Sequence, residues 1–180
     1  MELVTPALEL ATSGADQTRA LARAMAPLCL PGDIVLLAGD LGAGKTTFAQ
    51  GFAAGLGIDE VVTSPTFTLV RQYPVDTTGA AGSARAHGVR VLIHADVYRL
   101  DHLQEIADLG LGELVEDGGV ALVEWGDAAA RLLGEGSLAV GLVSTDADDH
   151  RSIGVRQCGG VWTGRWEALV AAVEPWRVSR

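Results

Sequence analysis

The sequence predicts an α/β domain in which a mostly parallel sheet is flanked by helices, with antiparallel strands toward the C-terminus. Segments of strand length alternate along the chain with segments of helix length, which is the order expected for a parallel sheet covered by helices. Residues 34–38 are continuously apolar, as is typical of a strand buried on both faces. The chain has 180 residues and no internal repeat, so we expect one domain over 1–180.

The first part of the chain predicts a strand, a helix, a buried strand, a second helix, and a loop that leads into a third strand. We place the first three elements at 4–11, 15–28 and 34–38. Ser13 is expected to cap the first helix, because its hydroxyl can accept a hydrogen bond from an exposed N–H. The second helix runs to about residue 56 and is ended by Gly55 and Gly57. The segment SPTFTLVRQY is then a loop that leads into a strand ended by Pro74.

The second part of the chain supplies further strands, short helices and a C-terminal helix. Small residues at 77–88 predict a mobile insertion. We place strands at 89–95, 120–124, 138–143 and 153–157, short helices within 101–114, and a helix at 165–173. The last two strands are expected to pair as a hairpin across the turn TDADDH. The C-terminal helix and tail at 162–180 carry three tryptophans whose role is open.

Composition excludes several classes of function. The formal net charge of −10 argues against a protein that grips nucleic acid by itself, because phosphate contacts need clustered cations. No stretch approaches the roughly 18 apolar residues of a membrane span, and the N-terminus lacks the pattern of a signal peptide. Cys29 and Cys158 are far apart and fit two reduced thiols, so we expect a cytoplasmic protein without a membrane partner.

The segment GDLGAGKT matches G-x-x-x-x-G-K-[ST], the phosphate-binding loop of P-loop NTPases. Its glycines allow successive backbone N–H groups to point inward at an anion, and the following helix adds a positive N-terminus. Lys45 is the single lysine of the chain, and its compact ammonium suits the β- and γ-phosphates better than the wide guanidinium of arginine. The expected nucleotide-binding residues are Asp40, Leu41, Gly42, Ala43, Gly44, Lys45, Thr46 and Thr47.

Two carboxylates end buried strands and are candidates for the metal and water chemistry of such a loop. Thr46 is expected to give its hydroxyl to Mg²⁺, and Glu124 follows four apolar residues, as a second metal-binding motif does. Asp96 could orient the attacking water or the water shell of the metal. His94 stands beside it, and the sequence favours a structural role for that ring. Trp125 either packs near the nucleotide or belongs to the core.

A second set of residues could respond to the γ-phosphate. Ser64, Pro65 and Thr66 precede a strand and carry two hydroxyls, as a switch loop would, although an ordinary transition from loop to strand has the same appearance. Arg99 follows Asp96 closely and is either a phosphate or partner contact or a surface residue. The chain has no asparagine, so the N-K-x-D motif for guanine is excluded and ATP is favoured.

The motifs GDLGAGKTTF, TSPTFTLV, HADVYRL and VEWG, in this order, resemble the TsaE (YjeE) family over about residues 10–155. Members are small bacterial ATPases needed for making N6-threonylcarbamoyladenosine in tRNA. The resemblance implies Mg²⁺ on Thr46 and Glu124, a requirement for Asp96 in hydrolysis, and a tryptophan near the nucleotide at Trp125. It also implies two switch segments that respond to the nucleotide, at 64–67 and 96–99. Thr66, in the first of them, is a candidate catalytic residue.

The resemblance further implies partners. The ATPase would dock on a TsaB–TsaD heterodimer, and hydrolysis would reset that machine, while tRNA would be held only indirectly, through the partners. Arg151 lies where the family's late hairpin approaches the nucleotide, so it is a candidate contact. Two rival readings stay open. A P-loop small-molecule kinase would need an arginine-bearing lid, for which Arg85 and Arg90 are thin support, and a nucleotide-dependent switch would bind partners with negligible turnover.

Overall fold

The computed structural model describes residues 8–76, 87–98, 100, 103–125, 136–145 and 149–178. Most of the predicted insertion at 77–88 therefore lies outside the described residues. The strands are β1 (Leu8–Thr12), β2 (Ile34–Ala38), β3 (Val70–Pro74), β4 (Val91–Asp96), β5 (Gly119–Glu124), β6 (Ser137–Ser144) and β7 (Arg151–Gln157). The helices are α1 (Ala15–Met25), α2 (Lys45–Gly55), α3 (Leu103–Asp108), α4 (Leu111–Glu116) and α5 (Trp166–Val173).

The strands form one sheet in the order β1-β7-β6-β2-β5-β4-β3. The four central strands, β6, β2, β5 and β4, run parallel to one another, which confirms the predicted mostly parallel sheet flanked by helices. The hairpin of β6 and β7 is also confirmed. Antiparallel pairing is not restricted to the C-terminal part, however, because β3 pairs with β4 at one edge and β1 pairs with β7 at the other.

Both faces of the central strands are buried. In β2, Val35 and Leu37 belong to the larger core cluster, beneath α1, α2 and α5, while Leu36 belongs to the smaller cluster on the opposite face, together with residues of α4. Successive side chains of a strand point to opposite faces, so burial of the whole run requires a layer on each side. None of the helices in the described ranges is long and apolar enough to cross a bilayer.

Two helix boundaries differ from those expected. Ser13 does not cap α1, because Gly14 occupies the N-cap position and no side chain bonds there. The Ser13 backbone N–H instead donates to Oε1 of Gln17 at 3.0 Å. A side chain of the first helical turn therefore accepts the hydrogen bond of the residue that precedes the N-cap. The α-helical part ends at Met25 and continues as a 3₁₀ turn that contains Pro27, a residue without the N–H that a further α-helical turn would need.

Helices α1 and α2 approach each other closely at two glycines. A Cβ added at Gly51 would lie 2.2 Å from the carbonyl oxygen of Arg19, and one added at Gly55 would lie 2.6 Å from that of Arg23. Gly55 is therefore a packing residue as well as the last residue of α2. The close contact holds α2 against α1, and α2 begins directly after the glycine-rich loop.

The C-terminal segment, whose role the sequence left open, is part of the core. The Trp162 side chain is fully buried, and Leu169 and Val173 of α5 pack in the larger cluster. Arg165 donates from Nη1 and Nη2 to the two carboxylate oxygens of the buried Asp33, at 2.5 and 2.9 Å. Nη1 also donates to the carbonyl oxygen of Leu28 at 2.8 Å. This fork joins the start of α5 to the residue before β2.

Two groups at this ion pair, the Arg165 guanidinium and the nearby Cys29 thiol, have raised pKa values. The hydrogen bond to Asp33 raises the pKa of the Arg165 guanidinium above its usual value. Burial, followed by the negative charge of Asp33, raises the pKa of the Cys29 thiol well above its usual value, so this cysteine is a neutral core residue.

We expect Arg165→Ala to destabilise the fold by about 3 kcal/mol, because it leaves the Asp33 carboxylate buried without its cation. Chemical denaturation followed by circular dichroism measures the change. Arg177→Ala is the matched control, since it removes an arginine of the same C-terminal segment whose pair with Glu174 is exposed, and exposed pairs contribute at most about 1 kcal/mol. Equal effects of the two substitutions would contradict a stabilising role for the Arg165–Asp33 pair.

Candidate nucleotide-binding site

The glycine-rich segment forms a loop between β2 and α2, with α2 beginning at Lys45. Gly39, Gly42 and Gly44 have φ angles of 143°, 81° and 108°, a region that side chains with a Cβ rarely adopt. A Cβ at Gly39 would also lie 2.4 Å from the carbonyl oxygen of Leu142 on β6. The glycines thus permit the positive φ angles of the loop and its close packing against β6. Helix α2 begins directly after the last of them, Gly44.

Lys45 is buried although it carries a charge. Its ammonium donates to the carbonyl oxygens of Gly39 and Asp40, at 2.7 and 2.9 Å. The same Nζ atom lies 3.8 Å from the centroid of the Trp125 ring, a cation–π contact. The structure therefore keeps the ammonium inside the loop, between backbone carbonyls and an aromatic face, where an anion bound in the loop would meet it.

Thr46 and Glu124 meet beside the loop. The Thr46 hydroxyl donates to Oε1 of Glu124 at 3.3 Å, across 78 positions of sequence. Glu124 ends β5, where it lies in register with Leu37 of the parallel strand β2. Nε2 of His94 lies 2.9 Å from the same Oε1 atom, and both side chains are buried. The sequence favoured a structural role for His94 and did not place it on this carboxylate.

Asp96 ends β4 in register with Glu124, so the two predicted carboxylates stand side by side on neighbouring parallel strands. Its Oδ1 atom accepts the backbone N–H of Tyr98 at 2.9 Å. Its Oδ2 atom accepts the hydroxyl of Thr66 at 2.7 Å, and Ser64 lies 2.6 Å from that hydroxyl. The SPT segment is thereby linked to the end of β4. The hydroxyls of Ser64 and Thr66 form a chain of hydrogen bonds from the surface to the buried Asp96 carboxylate.

Trp125 follows Glu124 and has an unusual backbone conformation, with φ of 62°. This conformation turns its ring over Lys45, and the Tyr98 ring packs against the Trp125 ring with centroids 4.6 Å apart. Trp125 is thus both half-buried and close to the phosphate loop, so the two alternatives for it are not exclusive. The sequence placed Tyr98 in the 96–99 segment but gave its ring no contact, although its place two residues after the strand-ending acid brings it to the site.

The remaining candidates fall into three groups. Arg151, at the start of β7, donates from Nε to the carbonyl oxygen of Ala43 at 3.0 Å, so it contacts the loop backbone. Arg85 and Arg99 lie outside the described residues. Arg90 precedes β4 at the end opposite Asp96 and donates to the backbone and the carboxylate of Asp117, so it does not approach the phosphate loop.

The sheet order and the site at the carboxyl ends of its parallel strands define a P-loop nucleotide-binding protein. A family model described as "Threonylcarbamoyl adenosine biosynthesis protein TsaE" matches residues 12–153. The chain belongs to the TsaE family, as its motifs predicted.

Several relatives resemble the chain over most of its length. The protein named tRNA threonylcarbamoyladenosine biosynthesis protein TsaE of Bacillus subtilis is 41% identical over 146 residues, covering 81% of this chain and 83% of the relative. The protein of the same name from Streptomyces coelicolor is 38% identical over 148 residues, covering 80% and 93%. The crystal structure of YdiB from Bacillus subtilis matches with a TM-score of 0.69 and 34% identity, covering 93% of this chain and 94% of that one.

Proposed function

We propose that the chain is a cytoplasmic, Mg²⁺-dependent ATPase that acts with a TsaB–TsaD heterodimer in the biosynthesis of threonylcarbamoyladenosine in tRNA. The observation that carries the proposal is the convergence of Lys45, Thr46, Glu124 and Asp96 at one edge of the sheet. These residues come from a helix and two parallel strands, and together they offer a cation, a hydroxyl and two carboxylates. The relatives named for this pathway support the biological role.

The phosphates of ATP would lie in the loop at 39–46. Backbone N–H groups of the loop and the N-terminus of α2 attract anions. Lys45 would exchange its two carbonyl contacts for contacts with the β- and γ-phosphates, and the Trp125 ring limits where the ammonium can move. The other loop residues proposed to contact nucleotide are Asp40, Leu41, Gly42, Ala43, Gly44 and Thr47, with Arg151 as a further contact beside Ala43.

The residues beside the loop fit Mg²⁺. Thr46 and Glu124 provide hard oxygen donors 3.3 Å apart, which is the chemistry that Mg²⁺ prefers. Within the described ranges there is no cluster of three or more His, Cys, Asp or Glu side chains able to form a cage for a metal. Mg²⁺ in nucleotide sites is held by one or two protein oxygens together with phosphates and water, so two ligands suffice. When bound, the metal would neutralise charge that develops on the phosphates.

Asp96 is the proposed positioning group for the attacking water. Both of its oxygens accept hydrogen bonds, from Tyr98 N–H and from the Thr66 hydroxyl, so the carboxylate has a fixed orientation. Thr66 is the proposed catalytic contact from the switch loop, because movement of that loop would change how Asp96 is held. This coupling between 64–67 and Asp96 is what a response to the γ-phosphate requires.

Partner docking is proposed to cover this edge of the molecule. Two large apolar side chains next to site residues are strongly exposed, Leu41 in the phosphate loop at 91% and Phe67 beside Thr66 at 87%. Exposed apolar groups beside a functional site are typical of surfaces that bind another protein. The net charge of −10 supports contact with tRNA through TsaB–TsaD rather than directly.

Product analysis separates hydrolysis from the kinase alternative. We expect equal amounts of ADP and inorganic phosphate when ATP and Mg²⁺ are incubated with the protein, and no dependence on an added acceptor. A kinase would form ADP without phosphate and only in the presence of its acceptor. A switch with negligible turnover would form neither product, with or without TsaB–TsaD. ADP and phosphate measured in parallel therefore distinguish the three functions.

A further inference from the structure

We infer that His94 is a positioning residue that holds the Glu124 carboxylate in place for the metal ion. The inference rests on the magnesium role proposed above for Glu124. The His94 side chain is fully buried, and its Nε2 atom lies 2.9 Å from Oε1 of Glu124.

The direction of the hydrogen bond follows from the chemistry of the two groups. An ionised carboxylate only accepts hydrogen bonds, so Nε2 of His94 carries the hydrogen and donates it to Glu124. The other ring nitrogen, Nδ1, is buried and has no hydrogen-bond partner among the described residues. Among the described residues, the hydrogen bond of the His94 ring is therefore the one from Nε2 to Glu124.

The position of His94 in the sheet explains why it reaches Glu124. His94 lies two residues before Asp96 on β4, so both side chains point to the same face. Asp96 is in register with Glu124, and His94 is in register with Leu122, which places His94 diagonally opposite Glu124. A ring at this position reaches along the sheet face to the carboxylate.

Two donors converge on one oxygen of Glu124. His94 approaches Oε1 from the sheet, and the Thr46 hydroxyl approaches it from α2 at 3.3 Å. Glu124 is only 3% exposed, so water cannot replace a lost donor easily. Without His94, the carboxylate would lose its buried partner and the fixed rotamer that keeps it beside Thr46. His94 therefore acts on the metal site through Glu124 and touches neither substrate nor metal.

The test uses two amides of different length. Gln at position 94 can place its amide nitrogen where Nε2 stands, whereas Asn places it nearer the position of Nδ1 and leaves Glu124 with the Thr46 hydroxyl but without a donor from β4. The quantity to measure is the ratio of the dissociation constants of a non-hydrolysable ATP analogue without and with Mg²⁺, by calorimetry on the full chain. His94→Leu and His94→Asn should lower this ratio by up to about 10–100-fold, with the affinity in the absence of Mg²⁺ unchanged.

His94→Gln should keep most of the wild-type ratio, which a ring that only fills space would not predict. Should His94→Leu fail to fold, the comparison of His94→Gln with His94→Asn decides, and equal ratios for those two variants would overturn the inference. Glu124→Gln serves as the reference. If Glu124→Gln retains the wild-type ratio, the metal role in the proposed function is wrong. If only Glu124→Gln lowers the ratio and the His94 variants do not, the positioning role alone is wrong.

Discussion

Lys45→Ala is expected to abolish ATP hydrolysis and to weaken nucleotide binding, with the fold intact. The ammonium is buried in the phosphate loop, and its removal takes the counter-charge from the β- and γ-phosphates. Losing a charge-assisted contact in such a site costs roughly 1.5–3 kcal/mol, or about ten- to a hundredfold or more in affinity. Calorimetric titration with ATP analogue and steady-state phosphate release measure the two effects.

Arg90→Ala is the matched control for Lys45→Ala. It also removes one positive charge, but from the end of β4 that lies away from Asp96, where Arg90 pairs with exposed Asp117. We expect this variant to bind and turn over ATP as the wild type does. Unchanged affinity and turnover in a folded Lys45→Ala protein would contradict the assignment of the phosphate loop.

Asp96→Ala and Glu124→Ala are expected to separate binding from turnover. Asp96→Ala should keep substantial ATP binding and lose about 10²–10⁴-fold in turnover, because the water loses the group that orients it. Glu124→Ala should instead weaken the Mg²⁺-dependent part of binding, because it removes a proposed ligand of the metal. Titration of Mg²⁺ against both variants gives the comparison.

The outcome of that titration can also reverse the two roles. Asp16→Ala is a suitable control, since it removes an exposed carboxylate that pairs with Arg19 far along the chain from the site. A metal defect in Asp96→Ala, with normal metal dependence in Glu124→Ala, would show that Asp96 is the ligand and Glu124 is not.

The phosphate loop could be predicted from sequence because several local requirements coincide there. The continuous apolar run of β2 specifies a doubly covered strand, and the glycines and Lys45 specify a loop that opens a helix. The sequence also indicated that Asp96 and Glu124 lie near each other. Both end buried strands, and the carboxyl ends of parallel strands meet at one edge of the sheet.

Contacts between strands could not be predicted from sequence in the same way. The hydrogen bond from His94 to Glu124 depends on β4 being the neighbour of β5 in one particular register, which no local pattern states. The Trp125 ring reaches Lys45 through a positive φ angle at a residue type that rarely adopts one. The alternation of side chains along β4 does place His94 and Asp96 on one face of the sheet. This was the only indication in the sequence that His94 lies near the predicted site.

The ion pair of Arg165 with Asp33 was missed for a different reason. The two residues are 132 positions apart, and a single pair of opposite charges carries no periodicity. Antiparallel pairing at β1 and β3 was missed because the direction of an edge strand depends on which strand it pairs with in the assembled sheet, and no local pattern states that partner. The predicted cap at Ser13 was wrong because the helix begins one residue later, with Gly14 at the N-cap position, and Ser13 instead donates its backbone N–H to the Gln17 side chain.

The central claim is that this P-loop protein hydrolyses ATP in step with a TsaB–TsaD heterodimer. Steady-state phosphate release, at saturating ATP and Mg²⁺, with and without the purified heterodimer, tests it most directly. We predict slow release by the isolated chain and a large acceleration by the heterodimer, because a partner that completes or orders an NTPase site can raise turnover by about 10³–10⁵-fold. Fast release by the isolated chain that the heterodimer leaves unaltered would contradict the coupling and favour a free-standing ATPase.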